Sequence, residues 1–190
     1  EGLRKEVVAE GKRIAFATNA GIYENGPKPC GLTICAGKEL VPLSLKEAEG
    51  NFYLKPNGVF YVDDAKGAGV MESAEYSRSG LQPRIATQSG PMLMSKGVLH
   101  PAFNANSPNK RLRSAVGVNA RTGQVIFVMS DREDRVKGRV TFHQLCQLFL
   151  HLGCQDALFL DGDISDMLVD PPEDAKLTPN TFAAMFVIVR

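Results

Sequence analysis

The chain is punctuated into short apolar runs separated by glycine, proline and Asn-Gly positions. Residues 13–18 (Arg-Ile-Ala-Phe-Ala-Thr) read as a strand that ends in a tight turn at Asn19-Ala20-Gly21. Runs 32–36 and 39–43 flank Gly37-Lys38, and runs 52–55 and 59–62 flank Pro56-Asn57-Gly58. Runs 92–95 and 98–99 flank Lys96-Gly97, and runs 115–118 and 125–129 flank Arg121-Thr122-Gly123. Each break holds residues suited to reversing the chain, because glycine supplies positive φ while proline and asparagine favour turns. The spacing predicts a hairpin at each of these breaks.

One helix stands out. Thr141-Phe142-His143-Gln144 has capping-box spacing, a hydroxyl followed three residues later by an amide. Phe142, Leu145, Cys146, Phe149 and Leu152 then form an apolar stripe at three-four spacing, closed by Gly153. The run 157–160 is a fully apolar strand leading into Asp161-Gly162-Asp163, and the closing run 182–189 is long and apolar enough for a central strand. A second, weaker helix is expected over 73–79. Many strands with one or two helices make the expected class α+β, a single domain over 1–190 of mostly antiparallel, hairpin-rich sheet.

Composition narrows the functional classes. The 190 residues are 44% hydrophobic, and 22 basic against 21 acidic residues leave a formal charge of +1. That balance gives no electrostatic footprint for nucleic acid or an anionic membrane. No run approaches the ~18 apolar residues of a membrane span. The chain opens Glu1-Gly2-Leu3 rather than with Met, as a mature or trimmed form would. Its cysteines, Cys30, Cys35, Cys146 and Cys154, lack zinc-site spacing. They read as buried, inert thiols, with a Cys30–Cys35 bridge open to an extracytoplasmic protein.

Candidate chemistry gathers at strand ends. Asp161 and Asp163 follow a buried strand two residues apart, which suits acid–base work, displacement or metal binding, and equally suits a turn carboxylate beside a solvated one. Ile164 and Met167 break any EF-hand series. Ser89 in Gln88-Ser89-Gly90-Pro91 lacks the elbow pattern of a serine hydrolase, and only His100 lies where a hairpin carries it toward that turn. His143 and His151 read as surface or boundary positions on the helix. Lys110, Arg111 and Arg113 close a polar segment, 103–113, long enough to be functional. They read either as a solvated stretch or as forked donors for a phosphate or carboxylate. Walker, dinucleotide and HExxH patterns are absent.

Taken in order, these segments resemble the phosphodiester glycosidase family. The resemblance rests on Thr18-Asn19-Ala20-Gly21-Ile22-Tyr23, Leu54-Lys55-Pro56-Asn57-Gly58-Val59, Gln88-Ser89-Gly90-Pro91, Arg113-Ser114-Ala115-Val116-Gly117 and Ala157-Leu158-Phe159-Leu160-Asp161-Gly162. It spans residues 13–190 and is closest to the family's bacterial, exported branch. The family also includes the catalytic domain of the lysosomal N-acetylglucosamine-1-phosphodiester α-N-acetylglucosaminidase. The resemblance implies hydrolysis of a sugar-1-phosphodiester substrate, small or part of a glycoconjugate, without a metal or other cofactor, in the periplasm or outside the cell. Asp161 is then the nucleophile or electrostatic stabiliser and Arg113, with Arg111, the phosphate holder. Asn19, Ser89 and Ser165 supply hydrogen bonds, Gly90 and Gly162 line the substrate, and His100 is a candidate proton carrier.

One departure bears on specificity. The lysosomal member reads Asp-Gly-Gly-Gly-Ser-Ala where this chain has Asp161-Gly162-Asp163-Ile164-Ser165-Asp166, adding two carboxylates and a bulky apolar residue. Two other readings therefore stand beside the glycosidase. One is a non-catalytic carbohydrate- or phosphate-binding module on the same scaffold. The other is a metal-dependent phosphodiesterase built on Asp161, Asp163 and Asp166.

Overall fold

Alternation along the strands decides how the layers stack. In the computed structural model, which describes residues 2–131, 133–134, 136–172, 175 and 181–190, every strand pair is antiparallel. One five-stranded sheet has the order β5-β4-β8-β6-β7, from Lys38–Val41, Thr33–Cys35, Ile85–Ser89, Gly58–Asp63 and Gly67–Glu72. A second has the order β10-β9-β13-β11-β12, from Val98–Leu99, Met92–Ser95, Cys154–Asp161, Ser114–Asn119 and Val125–Met129. Three further strands, β14 (Met167–Val169), β1 (Ile14–Asn19) and β15 (Met185–Val189), form a small sheet centred on β1. Tyr23–Glu24 (β2) and Lys28–Pro29 (β3) make a short ribbon. The result is one small α+β domain.

The two large sheets face each other through Phe60, Val70, Met92, Val116, Leu158 and Leu160, all buried. The opposite face of the second sheet presents Ala115, Ala157 and Phe159 to Leu145, Cys146 and Phe149 of the helix α3 (Phe142–His151). Period-two alternation thus buries both faces of β13, which explains its unbroken apolar run. The small sheet closes the sandwich: Phe16 packs on Phe127 with ring centroids 5.1 Å apart, and Phe186 meets Phe60 edge-on at 5.3 Å.

Most local expectations hold. Ala36 and Gly37, at φ 50° and 77°, make the tight turn between β4 and β5, one residue ahead of the predicted Gly37-Lys38. Lys96-Gly97 and the turn ending at Gly123 also reverse the chain as predicted. The α3 capping box forms in full: the Thr141 hydroxyl accepts from the Gln144 N–H at 3.1 Å and the Gln144 side chain accepts from the Thr141 N–H at 2.9 Å.

Other expectations are corrected. Pro56-Asn57-Gly58 does not turn a hairpin, because residues 51–53 form a 3-10 turn and β6 starts at Gly58. Buried Asn57 explains this, its Nδ2 donating to the Phe52 carbonyl at 2.8 Å and closing a loop ahead of the strand. The true hairpin joins β6 to β7, where the Asp63 carboxylate accepts from the N–H groups of Ala65 and Lys66. The closing run is not a central strand: β15 starts at Met185, pairs among the described residues with β1 alone and leaves Ile188 58% exposed. The helix expected over 73–79 shrinks to one turn, α2 (Ser73–Tyr76), and the helix α1 (Gly2–Ala9) has no counterpart in the predicted elements. All four cysteines are free; Cys146 and Cys154 are buried, Cys30 half-buried and Cys35 exposed. No described helix is long and apolar enough to cross a membrane.

Candidate active site

Four strand ends meet on one side of the sandwich. Asn19 ends β1, Ser89 ends β8, Ser114 begins β11 and Asp161 ends β13. The antiparallel register sets Ser114 directly opposite Asp161. The side chains then interlock. Ser89 Oγ donates to the Leu160 carbonyl at 2.9 Å and accepts from the Ile22 N–H at 3.2 Å, tying the turn after β1 to β13. Asn19 Nδ2 donates to Ser114 Oγ at 3.3 Å and to the Ala20 carbonyl at 3.2 Å.

Ser114, absent from the predicted site, is the hub. Its Oγ accepts from the Asp161 N–H at 3.2 Å and lies 2.8 Å from Ser165 Oγ and 3.1 Å from the Asp161 carbonyl. A hydroxyl has one proton, so only one of the last two can receive it. A small hydroxyl beside an arginine at the head of an apolar strand was the available signal. Gln88 was missed too: its Oε1 accepts from the Leu32 and Ser44 N–H groups and its Nε2 donates to the Ser44 carbonyl and Ser73 Oγ, pinning the segment around Ser44 to β8.

Asn19, Ser89, Arg113 and Ser165 are all at most 3% exposed, so they form a frame rather than a rim. Asp161 is half-buried at the open end of that frame. Burial raises its carboxyl above the usual range, with the charge of Asp163 adding and the Gly162 N–H, at 2.6 Å from Oδ1, opposing. The Asp161 charge in turn reaches Tyr23 and Cys30, helping burial to push the Cys30 thiol up to about 11. The chain turns immediately after Asp161, with the Ser165 N–H donating to the Gly162 carbonyl, so exposed Asp163 does not continue the strand.

Arg113 sits apart from its neighbours in the basic stretch, since Lys110 and Arg111 are exposed. Its Nε donates to the Val140 carbonyl at 2.9 Å and its Nη2 to the Asn109 carbonyl at 3.1 Å. Its guanidinium carbon lies 3.6 Å above the Phe142 ring. Nη1 has no hydrogen-bond partner among the described residues. Burial lowers the guanidinium to about 10, the nearby Asp163 charge opposing and Arg111 reinforcing that shift. Asp163 therefore couples electrostatically to both Arg113 and Asp161.

The remaining predicted residues take structural positions. His100 is buried; its Nδ1 accepts from the Ala102 N–H at 3.2 Å, so Nε2 bears the proton and donates to the Lys55 carbonyl at 2.9 Å. Both nitrogens are engaged, and burial lowers the imidazole from its ordinary value. A Cβ on Gly90 would stand 2.6 Å from the Phe52 carbonyl oxygen, and one on Gly162 2.7 Å from that of Leu112, so both glycines permit close backbone approach. Among the described residues no group of three or more His, Cys, Asp or Glu side chains is placed to hold a metal ion.

Comparison with known proteins bears on the family and the fold. The profile of the family described as Phosphodiester glycosidase matches residues 12–188. The chain is 35% identical over 155 residues to the uncharacterized protein YigE of Escherichia coli (strain K12), covering 82% of this chain and 58% of that one. In fold it is similar to the zebrafish N-acetylglucosamine-1-phosphodiester α-N-acetylglucosaminidase catalytic domain, auto-inhibited by pro-peptide. That match has a TM-score of 0.61 at 16% identity and covers 97% of this chain and 64% of that one. A hypothetical protein from Synechocystis aligns at a TM-score of 0.49 and 16% identity, over 83% of this chain and 48% of that one. The chain thus spans less than two thirds of the length of the relatives it matches.

Proposed function

This chain belongs to the phosphodiester glycosidase family, and on that premise we propose that it hydrolyses a sugar-1-phosphodiester, releasing the sugar at its anomeric carbon. The observation that carries this reading is the register of Ser114 against Asp161. It brings a half-buried carboxyl to the open end of a frame that also holds Asn19, Ser89 and Ser165.

Cleavage of the bond between the anomeric carbon and the phosphate oxygen develops positive charge on the sugar ring. The ionised Asp161 carboxylate faces that charge, as nucleophile or as stabiliser. Water supplies the hydroxyl of the released sugar, and the phosphomonoester departs with the bonding electrons. Phosphate is a good leaving group, so a proton donor is dispensable, which accords with the engaged nitrogens of His100. Arg113 offers Nη1 to the phosphate oxygens, charge-assisted and pre-set by its two carbonyl partners. Asn19, Ser89, Ser114 and Ser165 act as positioning residues that fix the Asp161 backbone. Exposed Arg111 adds positive charge near Arg113, and the resemblance to the family's exported branch supports a reaction in the periplasm or outside the cell.

Incubation with a panel of nucleotide sugars and glycosyl-1-phosphodiesters tests the reading. Wild type is expected to release free sugar, and Asp161→Asn to lose at least about a hundredfold in kcat; equal rates for the two would sink the assignment. The second reading, a non-catalytic carbohydrate- or phosphate-binding module, draws on the altered Asp161-Gly162-Asp163 segment, where the Asp163 charge acts on both Asp161 and Arg113. Calorimetric binding of sugar phosphates without turnover by wild type would select it.

A further inference from the structure

Arg113 is buried yet forms no ion pair among the described residues. A buried cation without a carboxylate must be held by other means. Three parallel rings supply them. His100 stacks on Phe103 with centroids 4.6 Å apart at 23°, Phe103 stacks on Phe142 at 4.7 Å and 16°, and the Arg113 guanidinium lies on Phe142 at 3.6 Å. The stack is anchored at both ends: His100 by its bonds to Lys55 and Ala102, and Arg113 by the carbonyls of Val140 and Asn109. Phe159 braces Phe142 edge-on, at 5.0 Å and 86°. One guanidinium face, Nε–H and one Nη2–H are thereby consumed, and the edge at Nη1 is left over.

We propose that Phe142, backed by Phe103 and His100, is a positioning residue that fixes the plane of the Arg113 guanidinium so that its Nη1 edge meets an anionic phosphodiester oxygen. The inference rests on the reading of Arg113 as the phosphate holder and adds how its orientation is set. A planar cation on an aromatic face is attracted by the ring quadrupole and kept from rotating, which a lysine cannot reproduce. His100 and Phe103 come from the loop after β10, Phe142 from the start of α3 and Arg113 from the residue before β11, so the device exists only once these three segments have docked together.

The test uses the isotope-labelled full chain and two readouts: solvent exchange of the Arg113 Nε–H by NMR, and KM against kcat for a glycosyl-1-phosphodiester. Phe142→Leu keeps bulk and loses the ring face; it is expected to speed exchange and raise KM by about tenfold each, with kcat within about twofold. Phe142→Tyr keeps the face and is expected to match wild type on both. In an Arg113→Lys background, Phe142→Leu is expected to change KM by less than about twofold, since the partner of the ring is gone. Unchanged exchange in a folded Phe142→Leu overturns the proposal, as does identical behaviour of the Leu and Tyr variants. Should Phe142→Leu not fold, Phe103→Leu, one ring further out, is read in the same way. If wild type hydrolyses no glycosyl phosphodiester, the functional reading fails by itself, while the exchange measurement still decides the role of the ring.

Discussion

Asp161 carries the conflict between stability and chemistry at this site. Burial raises its carboxyl, so ionising it costs the folded state more than the unfolded one. The associated stability is fully present below the unfolded pKa and is lost as pH rises through the folded one. Asp161→Asn is therefore expected to melt above wild type at neutral pH, the difference closing in acid, as differential scanning calorimetry across pH will register. Activity is expected to run the opposite way: the proposed reaction uses the ionised form, which puts the acid limb of kcat/KM above the usual carboxylate range. Residue types and order along the sequence pointed to Asp161, Arg113, Asn19 and Ser89 as candidates. Burial was not legible there. Arg111 and Arg113 look equivalent in the sequence, yet one is exposed and the other lies on Phe142.

At the scale of elements, local chemistry was readable wherever the turn or cap satisfies itself. The α3 capping box involves residues three apart and forms as the sequence predicts. Thr141→Ala is expected to cost about 1 kcal/mol in denaturant unfolding, through the orphaned N–H of Gln144. The Lys96-Gly97 and Gly123 turns are similarly local. Prediction failed where a long-range partner overrode the turn signal. Pro56-Asn57-Gly58 has every residue a hairpin wants, but Gly58 is claimed by Ser89 on one side and Glu72 on the other. β15 looked central because apolar content reports hydrophobicity and not the number of neighbouring strands.

For the whole molecule, the decisive interaction is the contact between the two large sheets. Leu158 is fully buried in that layer beside Phe60, Met92 and Val116. Leu158→Ala is expected to destabilise by about 2–5 kcal/mol, measured by urea unfolding, with the higher end if the flanking strands cannot collapse into the space. Because β13 also carries Asp161 at its end, the same variant is expected to weaken activity, since the carboxyl hangs from a displaced strand. The sequence by itself determined the antiparallel, strand-rich class, the capped helix and the Lys96-Gly97 and Gly123 turns. These follow from contacts within a few residues, whose geometry each residue type largely dictates. Tertiary structure alone decided the strand order, the burial of Arg113 on the rings of Phe142 and Phe159, and the pairing of Ser114 with Asp161. Those depend on sheet register, in which one step moves every side chain to the opposite face, and only the packing of the complete core holds that register in place.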